Sequence, residues 1–340
     1  MDPISQGALG AVCAQVGAKK QKLVYAGVLG LIAGLAPDLD IFLRSSDDPL
    51  LFLQFHRQFT HSLIFAPVGA FFITILSWRM VKKYLSFLEA YKSCLLGFLS
   101  HGLLDACTTY GTQNLWPFSN VRVAWNTISI IDPLITVPLI CFIILGCIKR
   151  RKIFVYFGLV WSLAYLFLGA FQNFRATAIS QVIASSRGHV PKNLTVKPSF
   201  GNLVLWKSIY EFEGFYYTDA IRIIVDKKIC LGERTEKFIP GKHTPKLIPG
   251  SQLAKDIERF RKFSNGYLSF KEESSLILDA RYSMIPNEFS PLWGITVNLD
   301  SNQNKHADWW ENNSVTVEKK TKFLALLKGE NCHSFEQIEW

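Results

Sequence analysis

The chain reads as an α-helical polytopic membrane domain followed by a smaller β-rich soluble domain. Three observations predict this. Apolar runs of spanning length crowd the region before about residue 172, short basic clusters separate those runs, and beyond Pro191 short alternating runs cut by Gly, Pro and Asn replace them. The 340 residues, 49% hydrophobic and 14% aromatic, are too many and too apolar for one ordinary soluble domain. The expected division is 1–172, helical and transmembrane, and 173–340, an extracytoplasmic α+β or β-rich domain.

A helix rises 1.5 Å per residue and the hydrocarbon core is about 30 Å thick, so a span needs roughly 20 apolar residues. Pro3 to Gly17 is short and carries Gln6 and Gln15, which suits a partial span packed against neighbours. Leu23 to Ala36 and Ser93 to Ala106 are short enough to be spans or buried core helices. Leu63 to Val81, Ile128 to Ile148 (interrupted by Asp132 and Pro133) and Ile153 to Phe171 are fuller candidates. Gln172 to Ile183 looks helical, and Leu203 to Trp206, Arg222 to Val225 and Leu276 to Leu278 read as strands.

The net charge of +10 does not form a nucleic-acid patch, and no nucleic-acid partner is expected. In the first half the cations sit between apolar runs, at Lys19, Lys20 and Lys22, at Arg79, Lys82 and Lys83, and at Lys149 to Lys152. If these clusters are cytoplasmic, the weakly basic loops 37–62 and 108–127 and everything after Phe171 lie outside, in a bacterial inner membrane on the periplasmic side. The start, Met1-Asp2-Pro3, lacks the basic region of a cleavable signal peptide. Five cysteines lie in apolar stretches, whereas Cys230 and Cys332 lie in the polar half and could form a disulfide in an oxidising compartment.

The chemistry-bearing residues fall in three short motifs: Pro37-Asp38-Leu39-Asp40, then His56-Arg57 through Thr60-His61-Ser62, then Ser100-His101-Gly102-Leu103-Leu104-Asp105. Ionisable groups at membrane depth cost several kcal/mol when unpaired, so they face a cavity, a partner or an ion. His101 and Asp105, four apart on an apolar helix, project from one face, as where a helix supplies two ligands to one ion. The plainer alternative makes Asp105 a helix cap and His101 a satisfied donor. The topology gathers Asp38, Asp40, His56, His61 and Asp105 at one membrane face, which favours one or two divalent transition-metal ions. Mixed His and carboxylate ligation suits zinc, or manganese or iron, better than calcium. Arg57 could hold a phosphate with its paired donors, or be a loop charge paired to Asp47 or Asp48. Asp132, at the start of a span, could orient a ligand histidine or cap a helix.

At these motifs, and at Met1-Asp2-Pro3-Ile4 and Thr109-Tyr110-Gly111-Thr112, the sequence resembles the YdjM-like family of membrane-bound, metal-dependent hydrolases. The resemblance covers about residues 1 to 175. It implies a distant relationship to zinc-dependent phospholipases C and single-strand nucleases. Taken with the residue reading, it gives a metal set of Asp2, Asp38, Asp40, His56, His61, His101 and Asp105, with Arg57, Asp40 and His56 catalytic and Gln6 and Asp132 in support. One departure stands out: the family pattern usually has His where this chain has Gln6, so Gln6 is a supporting group or fewer ions bind. The expected function is hydrolysis of a phosphoester in a lipid-linked or other membrane-associated substrate. The alternative is a non-enzymatic membrane regulator or adaptor with a structural metal.

Overall fold

The computed structural model describes residues 1–312, 314–330 and 332–335. It divides into two compact units. The first takes residues Met1–Leu43, Phe55–Phe171 and Phe200–Leu203; the second takes Arg44–Gln54, Gln172–Ser199 and Val204–Trp340. An N-terminal helical, membrane-spanning region is thus followed by a β-rich domain. The interpolated segment Arg44–Gln54, which joins the second unit from between two of the motifs, leaves no mark in the periodicity.

The first unit is built on α1 (Pro3–Gly17), α2 (Leu23–Leu35), α4 (Ala66–Val81), α5 (Phe87–Ala106) and α6 (Pro133–Lys149), with two 3₁₀ turns, Ala36–Phe42 and Phe59–His61, between α2 and α4; α3 (Leu51–Phe55), also between them in the chain, belongs but for its last residue to the second unit. α7 (Lys152–Ser186) runs without a break across the division at Phe171. Lys20–Phe42 and Lys152–Ser186 are long and apolar enough to cross a membrane, and Leu51–His61 with Ala66–Val81, bent by 86°, would make a third broken span. The expected run Ile128 to Ile148 becomes a helix only from Pro133, because Asp132 ends the extended chain before it and caps α6.

Glycine sets the packing of α1, α2 and α5. A Cβ on Gly10 would meet the Gly30 carbonyl at 2.4 Å, and one on Gly97 would meet the same carbonyl at 2.4 Å. Small residues let the three backbones approach this closely, the usual route to helix association where lipid removes the hydrophobic drive. α5 starts cleanly because Ser86 and Glu89 form a reciprocal capping box. These contacts hold the start of α1, the end of α2 and the end of α5 together, where the motifs lie.

The second unit contains two antiparallel sheets. One has the order β1-β2-β3-β4-β10 with β5 paired to β3, using β1 (Lys192–Pro198), β2 (Leu205–Phe212), β3 (Phe215–Ile223), β4 (Lys227–Cys230), β5 (Arg234–Glu236) and β10 (His333–Ser334). The other runs β6-β7-β8-β9 over Leu268–Lys271, Leu276–Asp279, Trp293–Thr296 and Asp308–Glu311. Helices α8 (Pro240–His243), α9 (Gln252–Phe263) and α10 (Val317–Lys328) complete it. Its larger core packs Phe238, Leu253, Ile257 and Phe260 with Ile277 and Ile295, and takes in Leu50 and Leu53 from the interpolated segment. Cys230 and Cys332 form the expected disulfide, with their Cα atoms 4.3 Å apart.

Candidate metal centre

Three peptide segments of the first unit bring their motifs together. α5 carries His101 and Asp105 one turn apart on its buried face, both 0% exposed. The 3₁₀ turn after α2 presents Asp38 and Asp40, and the 3₁₀ turn Phe59–His61 presents His61. The result is a group of four, Asp38, His61, His101 and Asp105, whose ligand atoms all lie within 4.8 Å of one another. A second group, Asp38, Asp40 and His56, shares Asp38 with the first.

Hydrogen bonding settles which imidazole nitrogen faces the centre. His101 Nδ1 lies 2.6 Å from the Gly34 carbonyl, which can only accept, so that nitrogen carries the hydrogen and Nε2 holds a lone pair. His61 Nδ1 lies 3.3 Å from Asp40 Oδ2 and 2.9 Å from Thr60 Oγ1. Since the Thr60 hydroxyl donates to Asp40 at 2.6 Å, the His61 hydrogen also belongs on Nδ1. With both rings neutral, two Nε2 lone pairs then meet at 2.9 Å. Asp38 Oδ1 stands 3.4 Å from both, and Asp105 Oδ2 stands 3.3 Å from the His61 nitrogen and 3.7 Å from that of His101. Facing lone pairs repel, and a cation between them, a proton or a metal ion, relieves it. Asp105 Oδ2 accepts no aligned hydrogen bond, although the Arg57 guanidinium lies beside it.

The surrounding side chains hold this arrangement. Gln6, fully buried on α1, donates from Nε2 to Asp105 Oδ1 at 2.8 Å, and the Met1 amine also touches that oxygen. Asp40 is firmly held: Oδ1 faces His56 Nδ1 at 2.7 Å and keeps a lone pair, while Oδ2 accepts from Thr60 and from the Arg57 backbone N–H at 3.2 Å. Arg57 is 4% exposed, with Nε 3.0 Å from Asp105 Oδ2, Nη1 donating to Thr108 Oγ1 at 3.0 Å, and its guanidinium 5.1 Å from the Tyr110 ring centre. It does not pair with Asp47 or Asp48. Its φ of +63° is a strained backbone for a side chain of this size, held by the bonds of both its N–H and its carbonyl.

Two expected residues stand elsewhere. Asp2 is the N-cap of α1 and spends both oxygens on Ser5, accepting from its N–H at 3.0 Å and its hydroxyl at 2.5 Å. Asp132, expected to orient a ligand histidine, instead caps α6 through Leu134 N–H at 3.1 Å and accepts the Tyr165 hydroxyl at 2.8 Å. It sits at a helix entrance with one partner on each oxygen, and neither partner is an imidazole. Sequence reasoning missed Thr60, Thr108 and the Gly34 carbonyl, which orient the site's side chains. Thr60 lies inside a quoted motif and was within reach; a backbone carbonyl carries no residue signal at all.

The model of the family described as "YdjM inner membrane protein" matches residues 1–176. The chain belongs to this family. It is therefore a multi-pass inner-membrane protein, and the family match ends just past the division at Phe171. Among relatives, it is 32% identical over 116 residues to the "Uncharacterized protein YfhP" of Bacillus subtilis (strain 168), covering 33% of this chain and 34% of that one. To the "Inner membrane protein YbcI" of Escherichia coli (strain K12) it is 31% identical over 113 residues, covering 32% of this chain and 62% of that one. The matches thus span about a third and under two thirds of these relatives' lengths. No solved structure matches.

Proposed function

We propose that this member of the YdjM family is a membrane-bound, metal-dependent hydrolase acting on a phosphoester of a lipid-linked or other membrane-associated substrate. The observation that carries the reading is the pair of facing Nε2 atoms 2.9 Å apart, closed on two sides by carboxylate oxygens of Asp38 and Asp105. His61, His101, Asp38 and Asp105 would hold a divalent transition metal, zinc ahead of manganese or iron for this mixed donor set. A second ion would take Asp38, Asp40 and His56, with Asp38 shared. Such an ion supplies an acidified water and a polarised phosphoryl oxygen.

The chain's own groups do the rest. Asp40 aligns His56 and His61 as a carboxylate partner fixes a ligand's tautomer. Gln6 holds Asp105 in place of the histidine usual in the family. Thr108 and Tyr110 pin Arg57 beside Asp105, where its planar guanidinium would receive an anionic oxygen. Substituting Asp105→Asn should lower metal content and phosphoesterase activity together, while Arg57→Lys should weaken turnover and leave metal in place. Full metal and full activity in Asp105→Asn would sink the site. A second reading, an adaptor with a structural ion, draws on the burial of His61, His101 and Asp105, with only Asp38 reaching solvent at 22% of its side chain. An ion that exchanges freely with added metal separates the hydrolase from the adaptor.

We further propose that the β-rich domain is extracytoplasmic. The Cys230–Cys332 bond belongs to an oxidising compartment, and the basic clusters of the first unit assign the opposite side to the cytoplasm. A cysteine introduced at exposed Pro249 should be labelled by an impermeant reagent in cells with a permeable outer layer. Labelling only after the inner membrane is opened would reverse the orientation.

A further inference from the structure

At the end of α1 remote from the candidate metal centre, two loops of the first unit converge. Lys19 and Lys20 follow α1, and Lys149, Arg150, Arg151 and Lys152 form the turn between α6 and α7; together they line one open pocket of about 680 Å³. No acid lines it. Lys22, just outside, is paired with Glu89 at 2.7 Å, whereas Lys19, Lys20, Lys149, Arg150 and Arg151 have no acidic partner among the described residues. The convergence is built: Lys152 Nζ donates to the Val16 carbonyl at 2.9 Å, and Arg150 takes a left-handed φ of +50° as the cap of α6. Orientation signals alone do not require this, since Arg79, Lys82 and Lys83 serve that purpose without joining the pocket.

Beside it runs an apolar groove of about 560 Å³ between α1, α2 and α6, lined by residues such as Ile4, Ala11, Val28, Leu31, Ile144 and Cys147. Gln15 closes one end, donating to the Leu23 carbonyl at 3.2 Å and to Cys147 Sγ at 3.1 Å. Gly27 keeps that end narrow, since a Cβ there would meet Gln15 Nε2 at 2.7 Å. Cys147 precedes the first cation of the turn, Lys149, by two residues. From Pro3 to Gln15 the groove follows α1 for about 18 Å, close to the roughly 15 Å depth of hydrocarbon in one leaflet. A single lipid chain has that reach, and the groove offers it almost no polar atoms.

We infer that this end of the helical unit binds one anionic phospholipid, its phosphate headgroup on the Lys19, Lys20, Arg150 and Arg151 cations and one acyl chain in the α1/α2/α6 groove. Basic pockets between membrane helices recognise anionic headgroups by charge, and a chain-length groove adds selection for a lipid over a free anion. The inference goes beyond the hydrolase reading and does not depend on it.

Native mass spectrometry of the full chain in detergent, titrated with phosphatidylglycerol or phosphatidylcholine, tests it. One phosphatidylglycerol per chain should be retained in preference to phosphatidylcholine. The double variant Arg150→Gln/Arg151→Gln should weaken retention about thirty-fold, at the usual contribution of each cation near an anionic surface. Val28→Trp, which fills the groove and leaves every charge, should also weaken it, whereas Lys82→Gln/Lys83→Gln should not. Equal retention of the two lipids, or equal loss in the Lys82/Lys83 variant, would overturn the site. Displacement of the lipid by inorganic phosphate alone, with Val28→Trp unaffected, would overturn it in favour of a free anion.

Discussion

Each unit of this molecule gathers a cluster of two acids with one or two histidines, and the two clusters differ in what fills their centre. In the helical unit, Asp38, His61, His101 and Asp105 turn acceptor atoms towards one another, and the Arg57 Nε at 3.0 Å from Asp105 Oδ2 is not aligned to donate to it. In the β-rich unit, Asp48, Asp256 and His306 lie equally close, yet Arg259 stands among them. Its guanidinium donates to both oxygens of Asp48 at 3.0 and 2.9 Å and to Asp256 Oδ1 at 2.9 Å. Asp256 also accepts from Gln252, from the Ala307 N–H and from His306 Nδ1 at 2.9 Å, so all its capacity is used. Residue type and proximity are the same in kind. What separates a cation site from an ion-pair network is whether protein hydrogens already occupy the lone pairs.

The sharpest way to break that contrast is to remove one carboxylate charge from each cluster. Asp105→Asn should weaken metal retention by more than about a hundredfold, above the loss typical of an orienting partner. Asp256→Asn should leave metal content where it was. Elemental analysis of both purified variants decides it, and equal metal loss from the two would erase the distinction.

A smaller effect is expected on stability. Breaking a fully buried pair costs about 3–5 kcal/mol. Asp48 and Arg259 keep 19% and 25% of their side-chain surface in solvent, so screening brings the cost of Arg259→Gln to about 2 kcal/mol. Denaturant unfolding followed on the β-rich domain measures this, and a change under about 0.5 kcal/mol would make the network ornamental. The same variant has a pH signature. Burial pushes the Asp48 carboxyl up, but the Arg259 donors outweigh it and hold it below the usual range. A carboxyl lowered on folding contributes stability above its unfolded pKa, about 3.9, and loses it as pH falls through the folded value. The gap between parent and Arg259→Gln should therefore be complete above about pH 5 and shrink below pH 4. A gap that widens on acidification would contradict the pairing.

How much of this was legible beforehand depends on whether a feature is local. The spacing of His101 and Asp105 placed both on one helix face because a helix repeats every 3.6 residues, and the neighbouring Asp38 and His61 motifs met them as the topology required. The β-rich character after Pro191 was legible from alternation and turn residues. Asp2, from the family resemblance, and Asp132, at the start of a span, looked like site residues, yet Ser5 and Tyr165 claim their oxygens. Nothing local distinguishes a cap from a ligand; the remaining partners do. Likewise Asp48 was a loop acid until Arg259, 211 residues away, was known to pair with it. His306 was unreadable for the same reason.

The interpolated segment Arg44–Gln54 carries a consequence for how this protein can be taken apart. The chain leaves Asp40, lends Leu50 and Leu53 to a core whose other members come more than 180 residues later, and returns to deliver His56 and His61. A single cut after Phe171 therefore frees neither half intact: one fragment keeps a hydrophobic loop with no core to fill, and the other keeps a core with two missing occupants. The halves are not cassettes. Any exchange of outer domains between relatives would have to transplant eleven residues from inside the metal motifs as well, which ties the inheritance of the two parts to each other.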